Sequence, residues 1–159
     1  MTMRFKLIPT VDGGTVLRSV VPVTHTAART AEINADADEV AALNIGDGVS
    51  VSVWTDVGAY TIIKKTRTTM TLRSDSAKLV NRDELRFAVG GFMAHCENQE
   101  DQRYEYTPNP NGCEVKITLR RWADDEGNER RKWKRAGTGS FQQGGNAYAG
   151  RRAFRDFNF

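Results

Sequence analysis

Two stretches of the chain carry side chains able to do chemistry. The first is Gly90-Gly-Phe-Met-Ala-His95-Cys96-Glu97-Asn98-Gln99. A nucleophilic Cys96 would need a neighbouring base and a lowered thiol pKa. His95 is adjacent in sequence, and on an extended chain adjacent side chains point to opposite faces, so the two do not form a dyad. A zinc site drawing on His25, His95, Cys96 and Cys113 lacks the paired-Cys or paired-His spacing that such sites use. The residues fit a structural role better, with Asn98 and Gln99 satisfying backbone groups in a tight connection and Cys96 buried as a small apolar side chain. Neither catalysis, nor a metal, nor a cofactor is expected.

The second stretch is cationic. Val115-Lys-Ile-Thr-Leu-Arg-Arg-Trp122 alternates apolar and polar residues, Asp124 to Asn128 is a turn, and Glu129 to Arg135 is a return strand. A slip of one residue would exchange the two faces of such a hairpin. With Val115, Ile117, Leu119 and Trp133 directed to a core, the opposite face displays Lys116, Thr118, Arg120, Trp122, Arg130, Lys132 and Lys134. Like charges facing each other across strands cost up to about 1 kcal/mol per pair. A phosphate backbone would offset that cost by counterion release, and Trp122 could stack on an unpaired base. Arg151 and Arg152, beyond a Gly-rich stretch, could assist. The opposing reading is a solvated edge whose charges prevent sheet-to-sheet aggregation.

The elements that must position these groups are mostly strands. Phe5 to Ile8 and Val16 to Val23, separated by Asp12-Gly-Gly14, predict an opening hairpin. Asp36 with Glu39 makes a capping-box pattern before Val40, Leu43 and Gly46, predicting one helix of about two turns. Val49, Val51 and Val53 alternate with serines, a turn is expected at Asp56 to Gly58, and strands follow at Tyr60 to Lys64 and Thr69 to Arg73, with Met70 and Leu72 on one face. Lys78 to Phe87 reads as a helical turn or a connection. Tyr104 to Tyr106 is a strand, and Pro108-Asn-Pro-Asn-Gly112 is a turn. Gly137 to Arg152 reads as a loop, since its glycines fit neither a dinucleotide fingerprint nor a phosphate-binding loop. The aromatic ending Phe154-Arg-Asp-Phe157-Asn-Phe159 is expected to dock on the body.

These readings predict a mainly β fold with one short helix: a small SH3-like barrel or β-sheet domain extended by a carboxy-terminal hairpin. A chain of 159 residues is expected to form one domain. Within it, residues 1–44 hold the first hairpin and helix, 45–75 the barrel strands, 76–113 a connection with the His-Cys segment, and 114–159 the basic hairpin and aromatic end.

Charge is distributed unevenly. Residues 1–113 carry 12 Lys/Arg against 14 Asp/Glu, net −2, while residues 114–159 carry 11 against 6, net +5. That asymmetry favours a polyanionic partner for the later part. Two cysteines are too few for a disulfide framework, and no apolar run reaches the roughly 18 residues of a membrane helix. The expected location is the cytoplasm.

Two resemblances add context. Gly46-Asp-x-Val-x-Val51, a turn, a strand ending in Lys64-Lys-Thr66 and a Thr-rich strand resemble the SH3-like barrels of KOW-type modules over residues 45–75. Gly-Phe-x-Ala-His95-Cys96-x-Asn98-Gln99, followed by Tyr-x-Tyr, an Asn-Pro-Asn-Gly turn, an Arg- and Trp-bearing hairpin and Phe-x-Asp-Phe-Asn-Phe, resembles small uncharacterised proteins of phages and mobile elements over residues 45–159. The second resemblance implies a phage or mobile-element accessory protein acting in the host cytoplasm, and it supplies no mechanism. Two functions follow as expectations: a nucleic-acid-binding module working through the cationic hairpin, or a protein that binds and inhibits a host factor, for example in antiviral defence.

Overall fold

The computed structural model describes residues 4–9, 15–20, 24–90, 93–137 and 144–158. The turn expected at Asp12 to Gly14, the end of the run at Val23, the Gly91-Phe92 pair, residues 138–143 of the Gly-rich stretch, the His25 side chain and Phe159 lie outside the described residues.

Strands β1 (Arg4–Pro9) and β2 (Thr15–Val20) pair antiparallel, with Leu7 opposite Leu17, as the opening hairpin predicted. The helix differs from expectation. It spans Thr24–Ala42 (α1) and begins twelve residues before Asp36, so the capping-box pattern lies inside it. Its buried stripe is Thr30, Ala37 and Val40, with Ile33 and Asn34 half-buried between them. The spacing is helical, but half the stripe is polar or small, so apolar periodicity does not reveal the first three turns. Lys65 ends the helix, its ammonium donating to Ala41 O at 2.7 Å and to Leu43 O. That is a favourable place for a cation.

Six strands form the main sheet: β3 (Gly48–Val53), β4 (Asp56–Lys65), β5 (Thr69–Ser74), β10 (Glu114–Ala123), β11 (Glu129–Arg135) and β12 (Ala147–Ala149), in the order β11-β10-β5-β4-β3-β12. The two outer strands meet again through a Lys134–Asn146 bridge and the Arg135 N–H donating to Gly145 O at 2.7 Å. The sheet is thus a nearly closed barrel, and the fold is mainly β. Four short strands lie between β5 and β10. β6 (Ser76–Leu79) pairs with β9 (Tyr104–Thr107), and β7 (Phe87–Gly90) pairs with β8 (Met93–Cys96). The segment from Lys78 to Phe87 therefore holds the end of one strand, a 3-10 turn at Arg82–Glu84 and the start of another.

The alternation predicted for the hairpin is the one observed. Leu119 faces Trp133, and Ile117 faces both Arg135 and Met70. Val49, Val51, Ile62, Met70, Leu72, Ile117, Trp133 and Ala147 make one buried cluster, closed by Ala37 and Val40 of α1. The Trp133 indole N–H donates to Ala37 O at 3.1 Å, giving the buried indole its partner. On the open edge of β11, Asn34 donates to Glu129 O at 3.0 Å and accepts from the Arg131 N–H at 2.9 Å. One side chain of the helix thereby replaces a neighbouring strand.

Two turns have specific steric causes. The β3–β4 turn is Trp54-Thr55, not Asp56 to Gly58; Gly58 instead lies within β4, where a Cβ would come within 3.0 Å of the Tyr60 ring. At Gly112 a Cβ would lie 2.1 Å from Ser74 O, so the turn after Pro108 needs glycine for close approach.

Candidate functional site

The polar face of β10, β11 and β12 collects the predicted cations in register. Arg120 stands opposite Lys132, Thr118 opposite Lys134 and Trp122 opposite Arg130. Across the barrel seam, Lys132 lies 5.7 Å from the centre of the Tyr148 ring, and Tyr148 faces Ser50 on β3. This gives a row Arg120, Lys132, Tyr148 and Ser50 across four strands.

The eight cationic-site residues do not play one role. Lys116 and Arg152 are exposed, while Arg120, Trp122 and Lys132 are half-buried. The Arg120 Nε is buried with no hydrogen-bond acceptor, as is Thr118 Oγ1 beside it. Lys134 is only 2% exposed, which corrects the expectation that it is displayed to a ligand. Burial, then the charges of Lys132 and Arg120, push its pKa below the ordinary lysine value.

Arg130 and Arg151 are both ion-paired within the fold. Arg130 pairs with Asp124 at 3.1 Å and donates to Thr30 Oγ1 at 3.0 Å, tying the hairpin to α1. The Asp124 carboxyl is pushed up by burial, but N–H groups of Asn128 and Glu126 and the Arg130 charge outweigh this and hold it below the usual range. Arg151 donates to Asp75 Oδ2 at 2.8 Å and to Thr61 Oγ1 at 2.9 Å, and the Asp75 side chain is 1% exposed. Gly48 leaves room for that arginine, since a Cβ there would meet Arg151 Cγ at 2.4 Å.

The His-Cys segment is taken apart by its own strand. On β8, His95 is exposed and Cys96 buried, so the two do not meet. Cys96 and Cys113 are both free thiols. No group of three or more His, Cys, Asp or Glu able to hold a metal occurs among the described residues. Glu97 lies 4.0 Å from Arg86 at the surface. Asn98 accepts from the Arg86 N–H at 2.8 Å and donates to Glu84 O at 3.1 Å and to Asp101 Oδ2 at 2.9 Å.

The segment's partner is the carboxy-terminal end of the chain. Asn158 Oδ1 accepts from the Cys96 N–H at 2.7 Å while its Nδ2 donates to Cys96 O at 3.0 Å. Gln99 Oε1 accepts from the Phe157 N–H at 3.1 Å, and Phe157 meets Phe87 edge-on at 5.5 Å. Asp56 accepts from the Asp156 N–H at 2.8 Å, Tyr106 from the Ala153 N–H at 2.9 Å, and Phe154 forms a bridge with Val57. Side chains thus satisfy the backbone of residues 153–158 almost position by position. The motif at 95–99 and the aromatic end are two halves of one contact.

Two aromatic residues were not legible as parts of a site. Tyr148 joins the cationic row only because β12 closes the seam. Trp54, at the tip of the β3–β4 turn, is 86% exposed and has φ +55, a conformation that bulky residues rarely adopt. The signal that could have singled it out is an aromatic residue between two alternating runs. No described helix is long and apolar enough to cross a membrane. Comparison with protein families, with curated proteins and with solved structures finds no match.

Proposed function

We propose that the protein binds single-stranded nucleic acid across the polar face of β10, β11 and β12. One observation carries this reading: Arg120 and Lys132, both half-buried, stand directly opposite each other on β10 and β11, and neither cation has a carboxylate partner among the described residues. A fold that sets two unpaired cations face to face is complemented by an anion. Lys116, Arg120 and Lys132 contact phosphates, and Trp122 and the displayed Trp54 stack on bases. Accessory work for a phage or mobile element, as the sequence resemblance implies, is compatible with such binding. The test is fluorescence anisotropy with labelled single-stranded DNA and RNA, comparing the native protein with Arg120→Ala/Lys132→Ala. Binding that falls at least tenfold in the variant supports the reading, and equal binding of both proteins refutes it.

A protein partner is the second reading. It is favoured by apolar side chains displayed on the β7–β8 hairpin, where Val89 is 97% exposed and Phe87 is 43% exposed. A host-factor inhibitor of this kind would form a complex that survives high salt and is lost on Val89→Asp.

A further inference from the structure

Between β4, β6, β9 and the docked end of the chain lies a cleft of about 490 Å³, within the range of roughly 300 to 1,000 Å³ typical of small-molecule sites. It shares no residue with the cationic face. Tyr60, Tyr104, Phe154 and Phe157 supply aromatic walls, and Arg82 and Arg155 line the same space. Both arginines are exposed, and neither guanidinium has a hydrogen bond or ion pair among the described residues.

Arg155 is nevertheless held in place. The Gln102 side chain accepts from its N–H at 3.1 Å and donates to its carbonyl at 2.7 Å, which fixes the backbone and leaves the guanidinium free. The Tyr104 hydroxyl donates to the same Gln102 oxygen. Burial raises the pKa of that hydroxyl and the Arg155 charge opposes the rise. The two carboxylates of the cleft differ. Asp75 is spent on Arg151 and Thr61, whereas Asp56 uses one oxygen for the Asp156 N–H and has no donor on the other among the described residues.

Guanidinium groups match phosphate oxygens with paired donors. Aromatic walls match the face of a planar ring. An unengaged carboxylate oxygen accepts from a ring amino group and repels a second anion. An acidic peptide would answer only the first of these. We propose that the cleft binds a nucleotide carrying an amino-bearing base, its phosphate on Arg82 and Arg155 and its base among the aromatic walls. The nucleotide is either free or the 5′-phosphorylated end of a strand.

Isothermal titration calorimetry with AMP and CMP, with adenosine and cytidine, and with inorganic phosphate tests the proposal. The monophosphates should bind at least tenfold more tightly than the nucleosides or phosphate, Arg82→Ala/Arg155→Ala should weaken them at least tenfold, and Lys132→Ala should leave them unchanged. Displacement of CMP by a 5′-phosphorylated oligonucleotide, but not by its unphosphorylated twin, would identify a strand end as the source; no displacement by either would identify the free nucleotide. No binding of AMP or CMP at millimolar concentration to protein that circular dichroism shows folded overturns the proposal. So does binding lost in Lys132→Ala and kept in the arginine variant, a result that would leave the cationic face standing and the cleft empty.

Discussion

Asn158→Ala should unlock the carboxy-terminal end and expose Cys96. The amide of Asn158 exchanges two hydrogen bonds with the Cys96 backbone, at 2.7 and 3.0 Å, and Cys96 is 3% exposed. Each such bond contributes about 0.5 to 1.5 kcal/mol net, so their joint loss weakens local docking by about 2 kcal/mol. At roughly 1.4 kcal/mol per tenfold change, the open population rises about 30-fold. Thiol labelling reads this directly, since modification of a buried cysteine tracks the fraction of time its surroundings are open. In a Cys113→Ser background, which removes the exposed thiol, Cys96 labelling should accelerate by about that factor while far-ultraviolet circular dichroism stays native. An unchanged labelling rate would show that the aromatic end does not hold the His-Cys segment, and the structural assignment of both motifs would fall.

Other expectations concern the barrel. Because Lys134 has a folded pKa below its unfolded value of about 10.5, the unfolded chain binds more protons in the window between the two. Stability should therefore rise with pH through that window, the full penalty being present below it, and urea titrations of Lys134→Met should lack the rise. Trp133→Phe removes the donor to Ala37 O and part of a side chain that is fully buried in the core, and should cost about 2 to 3 kcal/mol in denaturant unfolding. A cost under about 0.5 kcal/mol would mean that α1 is not held through this indole.

The hairpin was the most legible part of the fold, because a strand buried on one face writes its register into alternation: Val115, Ile117 and Leu119 select Trp133 as their neighbour. The helix was half legible. Its last turn carries Val40, with Leu43 just beyond its end, but its earlier contacts with β11 run through Thr30 and Asn34, whose work is polar and leaves no apolar period. The β3–β4 turn was misread for a related reason. Asp56 and Gly58 are turn-forming types, yet one accepts from the Asp156 N–H and the other makes space for Tyr60. A residue type announces what it can do, not which of its abilities the fold uses.

The same distinction governs the site. Alternation put most of the predicted cations on one face, as the register of β10 and β11 has them. It could not show that Arg130 and Arg151 are spent on Asp124 and Asp75, that Lys134 is covered, or that Tyr148 arrives beside Lys132 from the far side of the seam. Those depend on contacts between residues distant in sequence. The pairing of Asn158 with Cys96 is of this kind, 62 positions apart. Asn98 and Gln99 could be recognised as side chains suited to backbone groups, but not that Asn98 would serve Glu84 and Arg86 while Gln99 would serve Phe157.

The most direct test of nucleic-acid binding is its salt dependence. For single strands the logarithm of affinity falls with the logarithm of salt concentration by about 0.7 for each phosphate neutralised. Removing Lys116, Arg120 and Lys132 together should therefore lower the magnitude of that slope by about 2. A native slope that is steep, and flatter by about 2 in the triple alanine variant, is the predicted result; a native protein that binds neither DNA nor RNA at low salt, or a slope that the triple change leaves untouched, contradicts it.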